Sequence, residues 1–158
     1  MKVKTLAEAV ARYGQIDFEH LVWPERSKWI QPIAIPADMF PHWTVCGSKL
    51  PVHLIYANID MHKPLQDALA AVKSAGLDNE LKSFDGCFNI RMVRGSLCNP
   101  SAHSYGLAID LNASENPLGS ITTRFSSAFI KCFTDQGFDW GGNFKHRRDC
   151  MHYSFCWE

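Results

Sequence analysis

The sequence lacks any long apolar run. It opens MKVKTLAEAVARYGQ, where Glu8 and Arg12 interrupt the hydrophobic residues. A secretory leader needs a continuous apolar stretch of roughly 7–15 residues, and a membrane span roughly 20. The expectation is synthesis in a cytoplasm and no membrane partner. CxxC pairs are also missing among the six cysteines, Cys46, Cys87, Cys98, Cys132, Cys150 and Cys156. That argues against a cysteine-rich structural zinc site. With no leader, the thiols are expected to be reduced, most of them serving as small buried hydrophobes. Repeats, low-complexity tracts and Gly/Ser linkers are absent. So is any excess of charge, since 16 basic residues balance 16 acidic ones. This excludes the basic footprint of a nucleic-acid binder and a polybasic membrane patch, though one charged pocket can still sit on a neutral protein.

What is present fits one domain. The chain has 158 residues, 46% of them hydrophobic, enough for a single core without disulfides. Residues 1–158 are therefore read as one domain and, in the absence of a second module, as a monomer. Leu6, Val10 and Tyr13 stand at helical spacing near the start. Residues 23–51 carry five of the eight prolines and several tryptophans, and read as an irregular arm wrapping the domain. A strand is predicted over 51–57. Pro64 is placed in the first turn of a helix whose stripe is Leu65, Ala68, Leu69 and Val72, with Gly76 as its stop. Strands are predicted over 87–93, 106–112 and 151–157. A second helix is predicted over 124–136, burying Phe125, Ala128, Phe129, Cys132 and Phe133 before Gly137. Strands and helices mix without strict βαβ alternation, which predicts an α+β fold: a mostly antiparallel sheet flanked by helices, with a cleft on one face.

The chemistry lies in Ser101-Ala102-His103-Ser104-Tyr105-Gly106-Leu107-Ala108-Ile109-Asp110. Alternation sends Leu107, Ile109 and Leu111 to one face of a strand and Ala108 and Asp110 to the other. A carboxylate in mid-strand is costly to bury unless something pairs with it. Gly106 permits a turn that brings His103 back over the same face. His152, on the side of the last strand away from Met151 and Tyr153, offers a third ligand. Two histidines and one carboxylate match the count of catalytic zinc sites, which keep one position open. Asp149, three residues earlier, reads either as a general base or as a turn-forming residue before the strand.

The spaced residues Ser-x-His-x-x-Gly-x-Ala-x-Asp, followed by Asp149-x-Met-His152, resemble the zinc D-alanyl-D-alanine carboxypeptidase and L-alanyl-D-glutamate peptidase family. That family includes vancomycin-resistance dipeptidases and phage endolysins. Pro64-Leu65, Gly86, Arg91, Asn116-Pro117-Leu118-Gly119, Gly137-Phe138 and Trp140-Gly141-Gly142 fall in family order, so the resemblance spans about 50–155. It implies Zn2+ as the cofactor, held by His103, Asp110 and His152, with Asp149 as catalytic base. It also implies that Arg91 stands near the scissile carbonyl or a substrate carboxylate. Arg94 is its rival, because alternation along a strand would let only one of the two reach the site. Ser101 and Tyr105 are expected to shape the loop around His103, with Ser101 donating to Asp110. Trp140, Gly141 and Gly142 are expected to frame the cleft wall. One departure is His152-Tyr153-Ser154, where the family often has His-Phe-Glu. The implied activity is hydrolysis of peptidoglycan stem peptides, as an endolysin cutting between L-Ala and D-Glu and reaching the cell wall after release. The alternatives are a D-alanyl-D-alanine carboxypeptidase and a non-catalytic zinc-containing wall-binding module.

Overall fold

The computed structural model describes residues 1–157. Helix α1, Leu6–Tyr13, starts where the Thr5 hydroxyl accepts from Glu8 N at 3.1 Å and stops at Gly14, whose φ is +87°. Ala9 and Tyr13 face inward. The region read as an irregular arm is more regular than that. It holds the short helix α2, Arg26–Trp29, then strand β1, Ile30–Ala34, and the short strand β2, Thr44–Val45. Strand β3, Leu54–Asn58, pairs antiparallel with β1 in a two-stranded sheet. Pro32 lies within β1, a position open to proline only where no ladder donor is needed. It also disguises the strand in the sequence.

Helix α3, Ile59–Ser74, begins five residues before Pro64. The predicted start is thus corrected: the Asn58 side chain accepts from Asp60 N at 3.0 Å and caps the helix, leaving Pro64 inside it. The stripe of Leu65, Ala68, Leu69 and Val72 is buried as expected.

Strand β4 is Ser83–Gly86, and the strand predicted over 87–93 does not form. That segment instead gives its backbone groups to the turn at residues 101–104. Asn89 N donates to His103 O and Ser101 N donates to Arg91 O. Strand β5 is Ala108–Leu111 and helix α4 is Ser127–Thr134. The helix is shorter than the predicted 124–136, because Ser126 caps it by accepting from Phe129 N. Phe125 is buried just ahead of the helix, and Ala128 is exposed rather than buried. Strands β6, Asp139–Trp140, and β7, His152–Ser154, complete a five-stranded sheet of order β2-β4-β5-β7-β6. Only β2 and β4 run parallel. This is the α+β, mostly antiparallel fold anticipated from the sequence.

The two faces of this sheet differ. Ile109 pairs across with Tyr153. The Tyr153 ring meets Phe129 and Phe133 of α4, which in turn packs on α3. This is the core face. Cross-strand partners share a face, so Asp110 and His152, which are also direct partners, emerge together on the opposite one. No helix of the described residues is long and apolar enough to cross a membrane.

Candidate metal centre

His103 sits in a single 3-10 turn, Ala102–Tyr105, that leads into β5. Gly106 ends the turn with φ of +64°. A Cβ there would lie 2.6 Å from Ile30 Cδ1 and 2.9 Å from Asn58 N. Position 106 therefore needs glycine twice over, for its left-handed backbone and for the close approach of β3. Ser101 accepts from His103 N at 3.3 Å; its hydroxyl caps the turn rather than donating to Asp110. Tyr105 is buried, donates to Gly14 O at 3.2 Å, and packs edge-on against Trp23, which ties the turn to α1.

Three ligand atoms converge. His103 Nε2 lies 3.2 Å from Asp110 Oδ2 and 3.2 Å from His152 Nδ1, while His152 Nδ1 lies 2.8 Å from Asp110 Oδ1. These side chains form a group that could hold a metal ion. On the far flank of Asp110 the sheet partner is Gly86, and a Cβ built at that glycine meets nothing within 4 Å. Position 86 therefore adds no side chain beside Asp110 on that flank, while His152 stands on the other.

The protonation pattern suits a cation. His103 Nδ1 is 2.7 Å from the carbonyl oxygen of Cys87. A carbonyl can only accept, so Nδ1 carries the proton, and in the neutral ring Nε2 presents a bare lone pair toward Asp110. Two electron-rich atoms at that distance call for a positive charge between them. Zinc ligands at roughly 2.0–2.2 Å from a tetrahedral ion would stand roughly 3.3–3.6 Å apart, so a small outward relaxation of the three would admit one. A histidine whose other nitrogen donates to a carbonyl is the common arrangement around bound metals. Burial works to raise the Asp110 pKa, but when the two imidazoles carry a second proton their hydrogen bonds and charge outweigh burial and hold the carboxyl well below its ordinary range; with neutral imidazoles a cation at the same place would supply that charge instead.

The cysteines do not join this group. Burial, with the Asp110 charge behind it, pushes the Cys87 thiol up, so the sulfur stays protonated. Cys150 Sγ points to Ser120 O at 3.7 Å. Cys46 and Cys98 are exposed.

Asp149 is half-buried beside the same group. Its carbonyl accepts from His152 N at 3.1 Å, and its own N–H donates to Gly141 O at 2.9 Å. Both sequence readings of Asp149 therefore have a geometric counterpart: it opens the turn before β7, and it lines a cleft of about 970 Å³ together with Asp110, His152 and Arg91. Trp140 donates to Cys150 O at 2.9 Å and packs over Gly142, and neither it nor the two glycines lines the cleft. The expectation that they frame its wall is corrected; they brace the Asp149 turn from behind.

The arginines also depart from expectation. With no strand over 87–93, alternation does not apply, and both Arg91 and Arg94 line the cleft. Ser104 clasps the Arg91 backbone on both sides. Its hydroxyl accepts from Arg91 N at 2.9 Å and donates to Arg91 O at 2.6 Å. Sequence reasoning passed over Ser104, although a serine among buried residues beside His103 was a usable signal. Lys145 and Arg147 were also passed over and line the cleft as well; their signal was the basic run directly before Asp149.

Residues 95–155, less than half of the chain, match the model of a family described as D-alanyl-D-alanine carboxypeptidase. The matched stretch contains His103, Asp110, Asp149 and His152 but not Arg91, and is narrower than the resemblance read from the motifs. It supports a zinc peptidase and hence a hydrolase. Curated proteins offer no match to this chain.

Proposed function

We propose that the protein is a zinc metallopeptidase that hydrolyses peptidoglycan stem peptides, with His103 Nε2, Asp110 and His152 Nδ1 holding the ion. The observation that carries this reading is the convergence of those three donors at 2.8–3.2 Å, with His103 locked in the tautomer a metal needs. Bound there, Zn2+ would act as a Lewis acid toward the scissile carbonyl and bring the pKa of a water to roughly 7.

The chain's own groups account for the remainder. Asp149 is the general base: its carboxylate takes a proton from the water as the water oxygen bonds to the carbonyl carbon. Arg91, fixed by Ser104, donates hydrogen bonds to the carbonyl oxygen as negative charge gathers there. When the C–N bond breaks, Asp149 returns the proton to the departing amine. No acyl-enzyme forms, so serine-directed reagents should leave activity intact.

Within this chemistry we favour an L-alanyl-D-glutamate endopeptidase of endolysin type: a single-domain monomer made in a cytoplasm and acting on the wall after release. The description of the matching family favours a second reading, a carboxypeptidase releasing terminal D-alanine. Mass spectrometry of digested peptidoglycan, with and without chelator, separates them. New D-glutamate amines that vanish with chelator support the endopeptidase. Free D-alanine without new D-glutamate amines supports the carboxypeptidase. No chelator-sensitive product of either kind defeats the peptidase reading and leaves a wall-binding module.

A further inference from the structure

The balance of charge over the chain is not kept inside the cleft. Arg91, Arg94, Lys145 and Arg147 all line it, against the carboxylates of Asp110 and Asp149. Asp110 is already engaged by two histidines. Elsewhere on the molecule several basic side chains find acidic partners, as in Lys2 with Asp139, Lys63 with Asp67 and Lys131 with Asp135. Among the described residues none of the four cleft cations is paired with a carboxylate. Arg91 is half-buried, whereas Arg94, Lys145 and Arg147 are exposed. The last three come from two separate loops that meet: Arg147 Nη2 donates to Arg94 O at 3.4 Å. Holding like charges together on one rim raises the free energy of the empty protein, and an anionic ligand relieves it.

From this we infer that Arg94, Lys145 and Arg147 form an anion subsite, apart from Arg91, that reads a free carboxylate of the bound peptide. The inference rests on the peptidase reading and narrows its substrate. The preferred peptide carries a free carboxylate displaced from the scissile carbonyl, which Arg91 serves, toward the rim. Guanidinium groups suit this task because they grip a carboxylate with two parallel N–H bonds. Since the three rim cations are exposed, their contribution must weaken as salt is raised.

The test uses the full zinc-loaded chain and two L-alanyl-D-glutamyl-lysine peptides, one with its carboxyl groups free and one with all of them amidated. Binding is measured by calorimetry on zinc-loaded protein carrying Asp149→Asn to prevent turnover, and kcat and KM on zinc-loaded protein with Asp149 intact. Wild type should prefer the free-carboxylate peptide, with the difference in KM and binding rather than in kcat. In the triple variant R94Q/K145Q/R147Q the preference should shrink by about tenfold or more, the scale of a lost charge-assisted contact. The three positions are exposed, and thermal melting checks that the variant keeps the fold. A preference that is unchanged in the triple variant, or insensitive to salt, overturns the subsite. Equal turnover of both peptides by wild type does the same while leaving the peptidase reading in place. A salt-sensitive preference in binding that the triple variant loses, without any hydrolysis, keeps the subsite and removes the peptidase reading.

Discussion

Gly141 lies so close to Asp149 that a methyl group at position 141 would overlap the Asp149 carbonyl oxygen. The same two residues share the hydrogen bond from Asp149 N to Gly141 O at 2.9 Å. The glycine therefore sets where the carboxylate stands, and a Gly141→Ala variant must push the turn outward. Misplacing a reacting group by an ångström can cost about 100-fold in rate. We expect kcat on a stem peptide to fall by about that factor, while zinc content by elemental analysis stays near that of wild type. An active Gly141→Ala enzyme would mean that the position of Asp149 is not critical.

Asp149 itself can be separated from the metal group. Asp149→Asn keeps the size and removes the base. Loss of general base catalysis costs about 100- to 10,000-fold, so turnover should drop within that range with zinc stoichiometry unchanged. Unchanged lysis of cell walls by this variant would point to binding without catalysis.

Zinc should act on stability as well as on chemistry. A ligand that binds only the folded state stabilises it by about 2.7 kcal/mol at a concentration 100 times its Kd. Differential scanning fluorimetry should show the wild-type Tm rising with added zinc, and His103→Ala should abolish most of that rise. If the variant responds as wild type does, the ion binds elsewhere.

Acid sensitivity has an identifiable source outside the cleft lining. Asp60 receives Arg12 Nε at 2.6 Å, Arg12 Nη2 at 2.9 Å and Tyr13 Oη at 2.9 Å. Burial works to raise its pKa, but these donors outweigh burial and leave the carboxyl below its ordinary range. A depressed folded-state pKa gives stability that is fully present above the unfolded value of about 3.9 and is lost as pH falls through the folded one. The stability difference between wild type and Asp60→Asn, measured by urea unfolding, should thus be constant near neutrality and shrink below about pH 4. A difference independent of pH down to strongly acidic solution would contradict this.

How far the sequence foretold these features depended on how local each was. Strands β5 and β7 were legible because apolar and polar residues alternate on both, and α3's buried stripe because Leu65, Ala68, Leu69 and Val72 repeat at helical spacing. Strand β1 was not, since Pro32 interrupts its pattern and its pairing with β3 is set by tertiary packing. Residues 87–93 have strand-like composition, yet their backbone bonds go to the turn at 101–104, a choice no local window reveals. In the site, His103, Asp110, Asp149 and His152 could be named one at a time from spacing. The grip of Cys87 O on His103 and the contact of Gly141 with Asp149 join residues that are not neighbours in the chain. Only the fold displays them.

The direct pairing of Asp110 with His152 has a consequence for how the last strand settles. Because successive side chains alternate in direction, sliding β7 by one position would bury the imidazole among phenylalanines and turn Tyr153 toward solvent. Any misaligned conformer thus forfeits its ligand geometry along with its packing. Cation supply during folding would then sort correct from slipped arrangements, acting as a proofreader of strand alignment.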